Sequence, residues 1–223
     1  MTGLTGPVIV GRYLDHGRAE FYPLAEPEVQ RVSRGLERVL RTYDLPARSH
    51  VLVTSLASQV AAFMPLERAL ADMHMIVSNA DASLFDVPRV VMYVRRFDVR
   101  AVLGIAPAVL DGLAAQGHDP AALFAGRVVW ATPEACARLA PAEGMTLRMW
   151  SELGPAVGAE CVHGGGLHVS SEEWSCTVSD QELVLSSRLP KLVGFKAHRT
   201  GIRVASMERV CPCGNTDIRV RIA

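Results

Sequence analysis

The sequence predicts an α/β protein: a parallel sheet flanked by helices, followed by a small antiparallel β module. Three observations carry this. Short apolar runs alternate with amphipathic stretches over residues 26–150, the pattern of strands buried on both faces between crossover helices. Past Thr146 the helical period fades into short segments separated by turn residues. Hydrophobic residues make up 49% of the 223, enough to fill a sizeable core.

Taken in order, residues 1–25 read as a loop segment, interrupted by Gly3, Gly6, Pro7, Gly11, Gly17 and Pro23. From Glu26, Val29, Val32, Leu36, Val39, Leu40 and Tyr43 fall on one helical face, and Leu45-Pro46 ends the helix. Val51-Leu52-Val53-Thr54 is a strand. A helix follows from about Ala57 to Asp72, with Val60, Phe63, Met64, Leu66 and Leu70 facing inward. The unit then repeats. Met75-Ile76-Val77 is a strand, and Val87 to Phe97 a helix with Pro88 in its first turn. Ala101–Ile105 is the next strand; Pro107 opens a helix that Gly117 closes, and Asp119-Pro120 caps another that ends by Gly126. Val128-Val129-Trp130-Ala131 is a strand, and Thr132-Pro133-Glu134 caps a helix to about Leu139. Residues 26–150 thus form the α/β core. Residues 151–223 form the β module, with strands at Leu167–Val169, Trp174–Val178, Glu182–Ser186 and Ile202–Ala205 and a hairpin turn at Ser179-Asp180-Gln181.

Charge narrows the function. Lys and Arg number 23, Asp and Glu 23, so the positive footprint that nucleic acid or an anionic membrane requires is missing. No run approaches the roughly 18 apolar residues of a membrane helix, and residues 1–11 lack the basic start and apolar stretch of a secretory signal. A soluble protein in the reducing cytoplasm is expected, with its cysteines unpaired. Mean hydropathy of +0.19 leaves room for a protein partner or a homo-oligomeric interface.

The five cysteines point to chemistry. Cys161-Val-His-Gly-Gly-Gly-Leu-His168 and Cys211-Pro-Cys213-Gly bring thiols and imidazoles to two tight turns, a ligand set that suits Zn²⁺. Cys161, His168, Cys211 and Cys213 are the candidate ligands, with His163 as the alternative to His168. Four protein ligands leave no open position, so the zinc would be structural. Cys136 and Cys176 read as small buried hydrophobes. An oxidising compartment would instead allow disulfides.

Five quoted stretches share a pattern with a known family. Ser151-Glu152-Leu153-Gly154-Pro155, running on to Glu160-Cys161, is similar to a Tyr-Gly-Leu-Ser-Glu motif leading into a Gly-Pro…Glu-Cys segment. Gly166-Leu167-His168, Glu182-Leu183-Val184, Arg199-Thr200-Gly201 and Cys211-Pro-Cys-Gly follow in the same order. On these residues the chain resembles the phenylacetate-CoA ligase branch of the adenylate-forming (AMP-binding) enzymes. The resemblance implies an N-terminal core of that fold, zinc on the same Cys, His, Cys and Cys, and Glu152 at the position that helps hold Mg²⁺ with ATP, which makes it the candidate catalytic residue. Thr132-Pro133-Glu134 falls where the family has an adenine-pocket turn.

The departures are grouped around the nucleotide. The family's Ser/Thr/Gly-rich phosphate loop has no counterpart between Gly11 and Arg18; Arg148-Met149 stand where Tyr-Gly would lie against adenine; Ile202 replaces the ribose-binding Asp. The family's lid with its catalytic lysine would follow the zinc knuckle, and the sequence runs only from Gly214 to Ala223 beyond it. The expectation is a degenerate ligase-like pseudoenzyme that binds an acyl or aryl ligand or a partner protein and does not adenylate alone. The alternatives are a subunit of a split acyl-CoA ligase, or repurposed cleft chemistry with Glu152, His118, His163 or His198 as acid or base. No Ser/His/Asp set, paired catalytic carboxylates or dinucleotide fingerprint has recognisable spacing.

Overall fold

The computed structural model describes residues 6–223. Chain order begins with β1 (Pro7–Asp15), β2 (Arg18–Ala25), α1 (Glu26–Leu40), β3 (His50–Ser55), α2 (Val60–Asp72), β4 (Ile76–Asp81) and α3 (Val87–Arg96). It continues with β5 (Val99–Ile105), α4 (Pro107–Ala115), α5 (Pro120–Phe124), β6 (Val128–Ala131), α6 (Pro133–Arg138) and β7 (Thr146–Leu153). The remaining strands are β8 (Ala156–Ala159), β9 (Leu167–Val169), β10 (Trp174–Ser179), β11 (Glu182–Ser187), β12 (His198–Glu208) and β13 (Ile218–Ile222). The protein is mixed α/β, as the alternation of apolar runs and amphipathic stretches requires.

The chain divides into two compact units. One comprises Tyr43–Ala57 and Leu70–Trp150. In it β4, β3, β5, β6 and β7 lie side by side, all parallel, with Val51 opposite Val77 and Ala101 opposite Val128. The middle strands have no polar face: Val51, Leu52, Val53, Ala101, Val102 and Leu103 are all fully buried, because helices cover both sides of a parallel sheet. Val87, Val90 and Val94 of α3 and Val109, Leu110 and Leu113 of α4 fill one core with Phe124 and Ala135. The predicted caps form: Asp119 accepts from the Ala121 amide at 2.9 Å and Thr132 Oγ1 from the Ala135 amide at 3.3 Å.

The other unit comprises the described residues up to Thr42, Ser58–Ala69 and Ser151–Ala223. Strands β8, β9, β13, β12, β11 and β10 are neighbours in that order and antiparallel throughout. Asp180 and Gln181, at φ 52° and 64°, make the two-residue turn between β10 and β11, where positive φ matches the strand twist.

Three expectations need correction. Residues 7–25 are no loop but the β1–β2 hairpin, turning on His16 and Gly17 at φ 46° and 82°; the part of that expectation on residues 1–5 lies outside the described residues. Gly11, read as a breaker, is a strand residue at a close approach, since a Cβ there would collide with Ala61. The division at residue 26 also moves: α1 belongs with the antiparallel strands of 151–223. Finally, β12 is much longer than Ile202–Ala205, and β1, β2, β7, β8 and β13 were not legible as strands.

What binds α1 to its unit is a buried ionic cluster. Glu173 is fully buried and accepts from Arg31 Nε and Lys191 Nζ. Lys191 Nζ lies 3.8 Å from Glu28 and 4.7 Å above the Trp174 ring. Glu28, itself buried, also accepts from the Ala25 amide at 2.8 Å, closing the first turn of α1, and from the Leu192 amide at 3.3 Å. Two carboxylates and two cations thus satisfy one another, as buried charges must. Among the described residues, no helix is long and apolar enough to cross a membrane.

Candidate metal centre

Cys161 follows β8 and begins a turn in which the Gly164 amide donates to the Cys161 carbonyl at 2.9 Å. Gly164 and Gly165 adopt φ 63° and 78°, a left-handed pair that side chains disfavour, and this returns the chain into β9 with His168 pointing back at Cys161. The second turn lies between β12 and β13. There the Gly214 amide donates to the Cys211 carbonyl at 3.0 Å, so Cys211 and Cys213 present their thiols to one point. The four ligand atoms of Cys161, His168, Cys211 and Cys213 all lie within 4.8 Å of one another. Cys161 Sγ and Cys211 Sγ are 3.6 Å apart, and Cys213 Sγ is 3.5 Å from His168 Nε2.

This group could hold a metal ion. Cys161, His168 and Cys211 are buried and Cys213 half-buried. No disulfide joins any of the five cysteines; the 3.6 Å between Cys161 Sγ and Cys211 Sγ is well beyond the roughly 2.05 Å of a disulfide. His163, the alternative ligand, is exposed and outside the cluster. Burial holds the His168 imidazole below its ordinary pKa, which keeps it neutral at pH 7. Its Nδ1–H donates to the Asp217 carbonyl at 3.3 Å, leaving the Nε2 lone pair facing the thiols, the arrangement that fixes a metal-binding tautomer.

Sequence reasoning missed the residues that support the ligands. Arg219 donates to the Gly164 carbonyl at 2.9 Å and to the Val210 carbonyl at 3.3 Å, tying both turns together. Asp217 is held by Arg38 of α1 in a two-pronged bond at 2.8 and 3.1 Å and by the Ser171 amide at 2.8 Å. Neither residue carries a local motif; each acts across long sequence separation.

No protein-family model matches the sequence, and no curated protein matches it. Solved structures do. A 2-hydroxyisobutyryl-CoA ligase in complex with 2-HIB-AMP and CoA superimposes with a TM-score of 0.72 at 14% identity, over 97% of this chain and 57% of that one. The N-terminal subdomain of Klebsiella oxytoca NpsA in complex with anthranilyl-AMSN gives 0.60 at 11%, over 99% and 65%. ATP-bound MatB from Rhodopseudomonas palustris gives 0.60 at 10%, over 96% and 47%. The fold is that of the adenylate-forming enzymes. The chain spans about half to two thirds of the length of these structures.

The other candidate residues are scattered. Glu152, in β7, accepts from Gln59 Nε2 at 3.2 Å; burial raises its carboxyl pKa, against the opposing pull of the Arg12 charge. His198 packs edge-on to Tyr13 and Phe195, with ring centroids 5.5 and 5.4 Å away, and its Nε2 is buried without a partner. His118 sits in the turn after α4, its amide on the Leu113 carbonyl. Thr132-Pro133-Glu134 is the cap and first turn of α6, with Glu134 exposed. Cys176 is an inert thiol pushed up to about 12 by burial, and Cys136 Sγ rests on the Ala131 carbonyl at 3.5 Å.

The Glu152 environment gives a test. Its folded-state pKa lies above that of an unfolded glutamate. The stability tied to its protonated form is therefore fully present below the unfolded pKa and is lost as pH rises through the folded one. Glu152→Gln should melt about 2–4 °C higher than the parent at pH 8, with the gap closing as pH falls through the carboxylate range. Thermal unfolding across pH checks this; a constant gap, or a less stable variant at pH 8, would remove burial as the dominant influence.

Proposed function

We propose that this protein is a phenylacetate-CoA-ligase-like scaffold carrying a structural Zn²⁺, one that does not adenylate alone and instead holds an acyl or aryl ligand or a protein partner in the cytoplasm. The donor set supports zinc as the metal. With Zn–S bonds of about 2.3 Å and Zn–N of about 2.0–2.1 Å, a tetrahedral site sets neighbouring sulfurs roughly 3.8 Å apart and a sulfur and nitrogen roughly 3.6 Å apart. The spacings of 3.6 and 3.5 Å are close to both. Three thiolates, an imidazole and no open position favour a structural ion over a catalytic one. When bound, it would cross-link the two turns and neutralise the thiolate charge.

The β1–β2 turn carries the negative half of the reading. A phosphate-binding loop needs a run of backbone N–H groups curving round the anion. Here Asp15-His16-Gly17-Arg18 closes the hairpin in two residues, and His16 Nδ1 lies 3.3 Å from where a Gly201 Cβ would stand. Around Gly201, Glu182 accepts its amide at 2.7 Å, and Arg199 is already paired with Glu182 at 2.7 Å and with Asp180 at 3.2 Å. The carboxylates repel a triphosphate, the cation is engaged, and Ile202 offers a ribose nothing to bond. Glu152, buried beside Gln59, then serves as a hydrogen-bonding residue rather than a Mg²⁺ ligand.

Calorimetric titration of the zinc-replete protein with Mg·ATP tests this. No heat of binding is expected in the micromolar range; micromolar affinity would refute the loss of nucleotide binding. A subunit of a split acyl-CoA ligase is the second reading, favoured by a ligase fold that extends over 97% of this chain. It requires adenylation to appear on adding a second polypeptide.

A further inference from the structure

The unit of Tyr43–Ala57 and Leu70–Trp150 contains none of the metal ligands, yet it has a feature of its own. All five parallel strands begin along one edge of their sheet. The segments at their starts wall a groove of about 680 Å³: Arg48 ahead of β3, Ile76 opening β4, Phe97 and Arg100 at β5, Arg127 ahead of β6.

The groove has an excess of positive charge. Three arginines line it against one carboxylate residue, Asp98. Asp98 pairs with Arg100 at 2.8 Å, but both side chains are more than half exposed, so the pair is weak. Among the described residues, Arg48 meets no carboxylate. Arg127 donates to the carbonyls of Ala125 at 2.7 Å, Leu123 at 3.2 Å and Val94 at 3.4 Å, and its Nε is buried without an acceptor. Its charge is therefore fixed in the wall by carbonyls, with no carboxylate paired to it among the described residues.

An apolar shelf lies in the same groove. Phe97 is 48% exposed and Ile76 46%. The Phe97 ring is held from behind by His50 and Tyr93, with centroids 5.3 and 5.9 Å away, and His50 is itself fixed by a 2.8 Å bond to Ser78 Oγ. A rigid aromatic face beside forked cations matches an amphipathic anion. Guanidinium groups bond oxyanions through two parallel N–H donors, and an aromatic face adds stacking on a flat body.

We propose that this groove is a binding site for an organic oxyanion, with the phosphate or carboxylate head on Arg48 and Arg100 and the apolar or aromatic body against Phe97 and Ile76. Nucleic acid does not fit, because three cations on a chain of zero net charge cannot supply the phosphate contacts on which such affinity rests. The site is independent of the zinc and of any ligase-like activity.

Amide chemical-shift mapping on the full ¹⁵N-labelled chain tests it, with phenyl phosphate, benzoate and inorganic phosphate as probes. Saturable shifts are expected at residues 48–50, 76, 97–100 and 126–128. Phenyl phosphate or benzoate should bind about fivefold more tightly than inorganic phosphate, the tighter of the two identifying the head group. Binding should weaken at about 0.5 M salt, where screening shortens the reach of the cations to a few Å. Arg48→Gln with Arg100→Gln should abolish binding of all three probes; both residues are exposed, so the melting temperature should hold. Phe97→Ser should bring the aromatic probes down to the inorganic phosphate level and leave inorganic phosphate unchanged. Absence of saturable shifts, shifts centred elsewhere, or full binding by the double arginine variant would overturn the proposal.

Discussion

Replacing Cys211 with serine should lower the melting temperature by roughly 10 °C or more and release the bound ion. A serine hydroxyl does not ionise near neutral pH, so the substitution leaves three ligands, Cys161, His168 and Cys213, around a site built for four. The ligands come from two turns 50 positions apart, which a bound ion would cross-link. Metal affinity here is therefore folding free energy. A strong chelator should reproduce the drop in the parent protein and add little in the variant. If the thiols were only buried hydrophobes, the substitution would cost about 1 kcal/mol and the chelator would do nothing. Calorimetry combined with metal analysis separates the cases, and unchanged stability and zinc content in Cys211→Ser would sink the structural-metal assignment.

The second large effect belongs to Glu173. Glu173→Gln keeps the side-chain shape but leaves Arg31 and Lys191 in a buried site with only Glu28 nearby. Breaking one partner of a buried ion cluster costs roughly 3–5 kcal/mol, because the surviving charge is stranded. For a protein of this size that corresponds to about 6–20 °C in melting temperature. The companion experiment replaces the whole set: Glu173→Leu with Arg31→Met and Lys191→Met should recover most of the loss, since a well-packed apolar substitute for an ion cluster is often neutral. Equal loss in the single and triple variants would mean that the cluster acts through shape and not charge.

What was legible in the sequence follows from the range of the forces involved. The parallel unit could be read because its strands are continuous apolar runs such as Val51–Val53 and its helices open on Pro107, Asp119 and Thr132, all local signals. The metal cluster could be read because three cysteines and a histidine sit at two turns with glycine beside them. The β1–β2 hairpin could not. Gly11 and Gly17 look alike in sequence, yet one makes room for Ala61 and the other completes a positive-φ turn with His16. Glu173 carries no sign of burial, because the residues that neutralise it lie in other segments. The oxyanion groove was equally hidden: its arginines stand singly at or just ahead of the starts of different strands, and only parallel packing lines them up.

The split path of the unit that carries the Cys/His cluster has a consequence for synthesis on the ribosome. Arg31 and Glu173 are 142 positions apart, which at 5–20 residues per second is a delay of about 7–28 s. For that time the hairpin and α1 exist as nascent chain, with Val29, Leu36 and Leu40 uncovered and the future anion of Arg31 not yet made. Most of the parallel unit emerges meanwhile and can fold within the delay. The hairpin and α1 are thus exposed to chaperones and to aggregation throughout that delay, and close only when the segment carrying Glu173 arrives.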